Sequence, residues 1–366
     1  MLDNWLRPLD SQQFKDFINY TEHQFANRII IYKDELPSLA DVDAAIVSID
    51  ADEALPIRQS LYAKMYAFSS LKVADLGSVR KKDPLFIIPI IKELLESKII
   101  PIIIGNSVEL TLPHYQAYQF QNLVNLVSVD EKIRLALGAE SPEDYLNDIL
   151  LSKKPRLFNL GIIGYQTHFV PYETVQYLDD HNFDHFRLGN VRASIMEMEP
   201  IIRDADMMSF NIAALKMCEA PGQKAPTPSG FFSEEACQIT RYAGMSDKLT
   251  SIGFYGYDPS KDNNNQTAQV IAQLIWYFLD GLSNRKHDYP ASLDGLTEYI
   301  VGFKSQNYTL TFWKSNRSGR WWLQVPFRTK KKHKRHRLIP CSYQDYQLAC
   351  REDFPDRLLN AFKRFS

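Results

Sequence analysis

Cysteine, histidine and net charge are all in short supply in this chain. Four cysteines are spread over 366 residues, at Cys218, Cys237, Cys341 and Cys350, and none is in CxxC spacing. That pattern suits a reduced compartment and argues against a cysteine metal site. Eight histidines include the loose "DHNFDH" group around His181 and His185, which reads as a turn. Lys and Arg total 42 against 44 Asp and Glu, a formal net charge of −2. So small an imbalance gives no general pull toward nucleic acid or membrane. Long apolar runs are also missing. The most apolar stretch, "LFIIPIIKELLESKIIPIIIG", is broken by Lys92, Glu93, Glu96 and Lys98, too soon for a span of about 20 apolar residues. The first residues, "MLDNWLRPLDSQQFKDF", lack the basic start and apolar run of a secretory signal. The expectation is a soluble cytoplasmic protein with no membrane span.

Several familiar motifs are absent as well. "LGIIGYQTHF" has glycines after a strand but not GxGxxG, so a dinucleotide site is unsupported. Ser107 follows Gly105, but Glu109 stands where a nucleophile elbow needs glycine. "GYDPSKDNNN" lacks the spacing of a calcium-binding loop and reads as a helix entry.

What is present is alternation of short apolar runs with longer amphipathic ones. "AAIVSID", "IIPIIIG", "NLVSVD", "LFNLGII", "DMMSFNIAAL" and "SIGFYGYD" read as strands buried on both faces. Between them "PLFIIPIIKELLES", "SPEDYLNDILLS", "FSEEACQITRYAG" and "NQTAQVIAQLIWYFLDGL" read as helices, with Ser141 and Ser233 as N-caps. This βαβα order predicts an α/β domain with a mostly parallel sheet and helices on both faces. Near residue 290 the pattern changes. "EYIVGFKS", "YTLTFWKS" and "RWWLQVPF" read as strands, and two helical stretches follow the basic run "RTKKKHKRHR". Residues 1–290 are therefore expected to form the α/β domain. Residues 291–366 are expected to be a C-terminal extension of strands then helices, with Trp-rich strands and a basic loop.

Three strand ends bear on chemistry: "PIIIGNSVELT", "VSVDEKIR" and "MSFNIAALK". With "PSGFFSEE" and "NNNQTAQVIAQLI", their order and spacing resemble the ureohydrolase family of arginase, agmatinase and formiminoglutamase, over roughly residues 95–285. "RLGNVR" and "IIRDADMMSFN" lean toward the formiminoglutamase branch. The resemblance implies a three-layer arginase-like fold. It also implies a pair of manganese ions activating a bridging hydroxide, held by carboxylates and imidazoles at three strand ends.

The residues at those positions depart from the family pattern. Val108 stands for a ligand His, with Ser107 in place of the adjacent Asp. Asp130 matches, but Lys132 replaces a His and Arg134 an Asp. Ser209 matches, while Asn211 and Ala213 each replace an Asp, and Gly256 stands for a substrate-binding Glu. Lys and Arg are repelled by cations, and Val and Ala offer no donor atom. The expectation is that manganese is absent, no cofactor is bound, and the chain is a pseudoenzyme acting through a protein partner, its own copies or a ligand. The alternative is a hydrolase of linear amidine C–N bonds, of formiminoglutamase or arginase type, that works without metal and uses Asp130, Lys132 and Glu109 as acids and bases. Lys132 and Arg134 themselves admit two readings. They pair with Asp130 as a plug, or they hold a small anion with help from Arg187 and Arg192. In the extension, Trp313, Trp321 and Trp322 precede the basic run from Arg328 to Arg337. That combination would suit a single-stranded nucleic acid, or else be strands packed on the α/β domain beside a solvated loop.

Overall fold

The computed structural model describes residues 2–10, 20–120, 123–138, 141–152, 156–290, 292–303, 308–325 and 338–365. The basic run Arg328 to Arg337 lies outside these. Among the described residues, ten strands form the main sheet: β1 (Leu6–Arg7), β2 (Ile30–Ile31), β3 (Ala44–Ser48), β4 (Val73–Val79), β5 (Ile100–Ile104), β6 (Val124–Val129), β7 (Leu157–Tyr165), β8 (Asp184–Arg187), β9 (Met207–Asn211) and β10 (Ser251–Tyr255). Their order is β1-β4-β3-β5-β10-β9-β6-β7-β8, with β2 also on β4. Every pairing is parallel except β1 with β4.

Side chains alternate along each strand, so each strand feeds two cores. Ala44, Ile46, Ile102 and Ile104 enter one core, with α1 (Ala51–Tyr62). Ala45, Val47 and Ile103 enter the opposite core, against α2 (Pro84–Glu96). Toward the far edge, α3 (Thr111–Gln116), α4 (Leu146–Leu150) and α5 (Tyr172–Asp180) lie on the α2 side. On the α1 side come α6 (Leu188–Ala193), α7 (Glu199–Arg203), α8 (Ser233–Met245) and α9 (Gln266–Ser283). The result is the expected three-layer α/β arrangement. Helices α8 and α9 touch backbone to backbone. A Cβ on Gly244 would stand 2.0 Å from the Phe278 carbonyl, and one on Gly281 2.3 Å from the Arg241 carbonyl.

Helix starts differ from the sequence reading in two places. Ser141 does not cap a helix. Its N–H donates to Asp144 and its hydroxyl accepts from the Glu143 N–H, which closes a turn, and α4 begins only at Leu146. Ser233 is the first residue of α8 rather than its cap, and Glu235 accepts the Phe232 N–H instead.

The extension is a four-stranded antiparallel sheet, β11 (Leu296–Phe303), β12 (Tyr308–Ser315), β13 (Trp321–Gln324) and β14 (Leu338–Cys341), with α10 (Tyr343–Cys350) and α11 (Asp356–Phe365). Trp321 packs with Tyr299 and Tyr346 on the face that carries the helices. Trp313 and Trp322 sit with Leu338 in a separate cluster. Arg203 of α7 lies 4.5 Å over the Trp322 ring and donates to the carbonyls of Trp321 and Cys341. Arg364 of α11 reaches Asp184 and the Asn182 carbonyl at the β8 edge. Among the described residues, no helix is long and apolar enough to cross a membrane.

Candidate functional site

The three strand ends singled out above do converge. In the sheet, β5 is followed by β10, β9 and β6, so the segments after Ile104, Asn211 and Val129 open on one end of the sheet. In an open parallel sheet this carboxyl end is where side chains from neighbouring loops can meet.

Strand β6 stops at Val129, one residue before the charged cluster. The Asp130 N–H still donates to the Ile163 carbonyl of β7, and Glu131 accepts the Gln166 N–H. The chain then turns, so the strict alternation that would align Asp130, Lys132 and Arg134 does not hold. Arg134 instead curls back onto Asp130. Its Nε donates to Asp130 Oδ2 at 2.9 Å and its Nη2 to Oδ1 at 3.1 Å. Nη2 also reaches Glu131 Oε1 at 2.9 Å, and Nη1 reaches Glu143 Oε2 at 2.6 Å. The Arg134 carbonyl accepts from the Leu146 N–H, which holds this segment against the start of α4.

From β9, Asn211 completes the cluster. Its Nδ2 donates to Asp130 Oδ2 at 3.0 Å, and its Oδ1 accepts the Ala213 N–H at 3.2 Å. Ser209 is turned away, bonded to the Thr111 hydroxyl. Gly256 follows β10 with φ of +89°, and a Cβ there would stand 2.5 Å from Asn211 Oδ1. A glutamate at that position would therefore collide with the carboxamide that bonds Asp130.

Asp130, Glu131 and Arg134 are all buried. Burial works to raise the Asp130 carboxyl. The Arg134 charge, with hydrogen bonds from Glu131, Arg134 and Asn211, outweighs it and holds Asp130 below its ordinary value. Burial and the neighbouring Asp130 charge push Glu131 the other way, from 4.5 up to about 9, so it carries a proton at neutral pH. Burial works against the Arg134 charge, but Asp130, Glu131 and Glu143 more than restore it.

Around this cluster lies a small pocket of ≈ 40 Å³, lined among others by Val108, Lys132, Ala213, Lys224 and Gly256. Lys132 is half-buried, its ammonium 5.5 Å from the centre of the Phe169 ring. The anion helpers expected from sequence lie elsewhere. Arg187 donates to the Tyr165 hydroxyl at 3.3 Å. Arg192 pairs with Glu235 at 3.0 Å and covers Phe232. Glu109 sits half-buried in the turn after β5, outside the pocket lining. His185 bonds Asp179 and Tyr165 at the β8 edge, while His181 bonds the Tyr177 carbonyl.

The arginase family model matches residues 45–280, which hold all of β3 but its first residue, every later strand of the main sheet and all three strand ends. This chain belongs to the arginase family. It is 29% identical over 103 residues to a formimidoylglutamase of Staphylococcus aureus, a match covering 27% of this chain and 33% of that protein. The match thus spans about a third of the relative's length. Among solved structures it is similar to Trypanosoma cruzi formiminoglutamase with Mn2+, with a TM-score of 0.62 and 16% identity, covering 72% of this chain and 99% of that one. The formimidoylglutamase of Bacillus subtilis gives a TM-score of 0.61 at 16% identity, covering 74% and 99%. At such identities these structures establish a shared fold.

Three residues of the cluster and pocket went unread in the sequence. Strand alternation turns Glu131 away from Asp130, and the early end of β6 brings it back. Glu143 lies in "SPED", which reads as a helix start. Lys224, in the loop "GQKAP", carried no local signal.

Proposed function

We propose that this chain is a non-catalytic member of the arginase family that acts by binding, either to a protein partner, including its own copies, or to a small ligand. The observation that carries this reading is the guanidinium of Arg134 on both oxygens of Asp130. A side-chain cation occupies the carboxylate that would otherwise face a metal. A pair of manganese ions, which the family resemblance implies, needs several carboxylates and imidazoles free to coordinate. The donor set here does not fit that need. Val108 and Ala213 supply no donor atom, Asn211 turns its carboxamide nitrogen toward Asp130, and Glu131 holds a proton beside Arg134. We therefore infer that no manganese is bound. The four cysteines are free thiols, in keeping with a cytoplasmic location.

One observation favours a second reading. Asp130 and Glu131 are adjacent buried carboxyls whose proton affinities are driven apart, the arrangement by which acid and base roles are divided in catalytic sites. On that reading the chain hydrolyses a linear amidine C–N bond without metal, with Glu131 as an acid in addition to the acids and bases read from the sequence, Asp130, Lys132 and Glu109. Release of urea or formamide from arginine, agmatine or formiminoglutamate separates the two. No release supports the binding role, and turnover that persists with a chelator establishes the hydrolase.

A further inference from the structure

The acidic groups of the relict site are spent on one cation. Asp130, Glu131 and Glu143 all accept from Arg134, and Asn211 donates to Asp130. Lys132 and Lys224 border the same pocket, and among the described residues neither ammonium has a carboxylate within ion-pair distance. Arg134 has five N–H groups, and four of them are accounted for by these bonds. The fifth, on Nη1, has no acceptor among the described residues, although Arg134 is only 5% exposed. Three cationic groups therefore border one small pocket, and among the described residues neither the two ammoniums nor the fifth Arg134 N–H meets a carboxylate.

We propose that this pocket binds the carboxylate group of an organic acid between Lys132, Lys224 and the unspent N–H of Arg134. The proposal rests on the reading of the site as metal-free. Size and charge choose the ligand. A space of ≈ 40 Å³ admits a flat carboxylate head and little more. Glu143 stands at the rim with its side chain 43% exposed, so a dianion such as phosphate meets a fixed negative charge at the entrance. Asn211 has no donor to spare for a larger oxyanion, since its two N–H groups go to Asp130 and Glu131. The carboxylate could belong to a free one- or two-carbon acid, or to the end of a larger molecule that projects outward past the rim.

The test is titration of EDTA-treated full-length protein with ¹³C-labelled formate, acetate and benzoate at low ionic strength, read by ligand NMR line width. Saturable binding with a dissociation constant on the order of 1 mM is expected. Lys132→Ala and Lys224→Ala should each weaken it roughly tenfold while leaving the ligand-free Tm unchanged. Formate and acetate binding without benzoate assigns a free small acid. Equal binding of benzoate assigns the carboxylate end of a larger molecule. Absence of saturable binding by the wild type, or equal binding by the Lys132→Ala/Lys224→Ala variant, overturns the proposal. Manganese retained by the protein before EDTA treatment would instead overturn the metal-free reading on which it rests, so the two failures are separable.

Discussion

Arg134 neutralises a carboxylate that is shut away from water, and its planar fork matches both oxygens at once. Arg134→Ala would leave Asp130 buried without its counter-charge and should cost about 3–5 kcal/mol of stability, visible as a large fall in Tm. Arg134→Lys should recover only part, because an ammonium cannot span both oxygens. Glu131 makes the opposite case. Its carboxyl titrates near 4.5 when unfolded and at about 9 when folded, so between those values the folded protein holds a proton that the unfolded chain has lost. Stability from this group is accordingly greatest below pH 4.5 and falls as pH rises toward 9, by up to about 1.4 kcal/mol per pH unit. Glu131→Gln keeps an acceptor for Arg134 and a donor for Asp130 without the ionisation. Its Tm should exceed that of the wild type at pH 8, with the difference shrinking toward pH 5.

Strands and helices with continuous apolar content were legible from the sequence; elements built around a polar residue were not. Helix α2 was readable from the apolar stretch that begins at Pro84, and the structure adds Asp83 as its N-cap. Strand β4, "VADLGSV", escaped because Asp75 and Gly77 interrupt its apolar run. Asp75 is tolerated at zero exposure only because Arg58 binds both its oxygens and the Tyr62 hydroxyl donates to it. The same principle governs the candidate site. The three strand ends and the residues in the ligand positions could be read directly, whereas the bonds among them depend on where β6 stops, which no local pattern marks. The close approach after β10 gives a further expectation. Gly256→Ala places a Cβ against Asn211 and forces a positive φ on an L side chain, so it should destabilise by about 1–3 kcal/mol in a denaturant titration.

Across the whole molecule, arginines join the extension to the α/β layer among the described residues. Arg203 donates to two buried carbonyls of the small sheet, stacks on Trp322 and pairs with Glu199, while Arg320 of the extension pairs with the same Glu199. Removing Arg203 strands those carbonyls, and Arg203→Ala should cost about 3 kcal/mol with earlier proteolytic cleavage near residue 290. Neither the family match nor the resemblance read from the sequence extends into this part of the chain, and its Trp-rich strands announced a small sheet without showing which helix it would meet. At the other end of the main sheet, the proposal is that side-chain charge takes the place of metal. Elemental analysis of protein expressed and purified with excess manganese tests it most directly. The expected result is no stoichiometric manganese and an unchanged Tm after chelation; about two ions per chain, lost together with stability on chelation, would overturn the proposal.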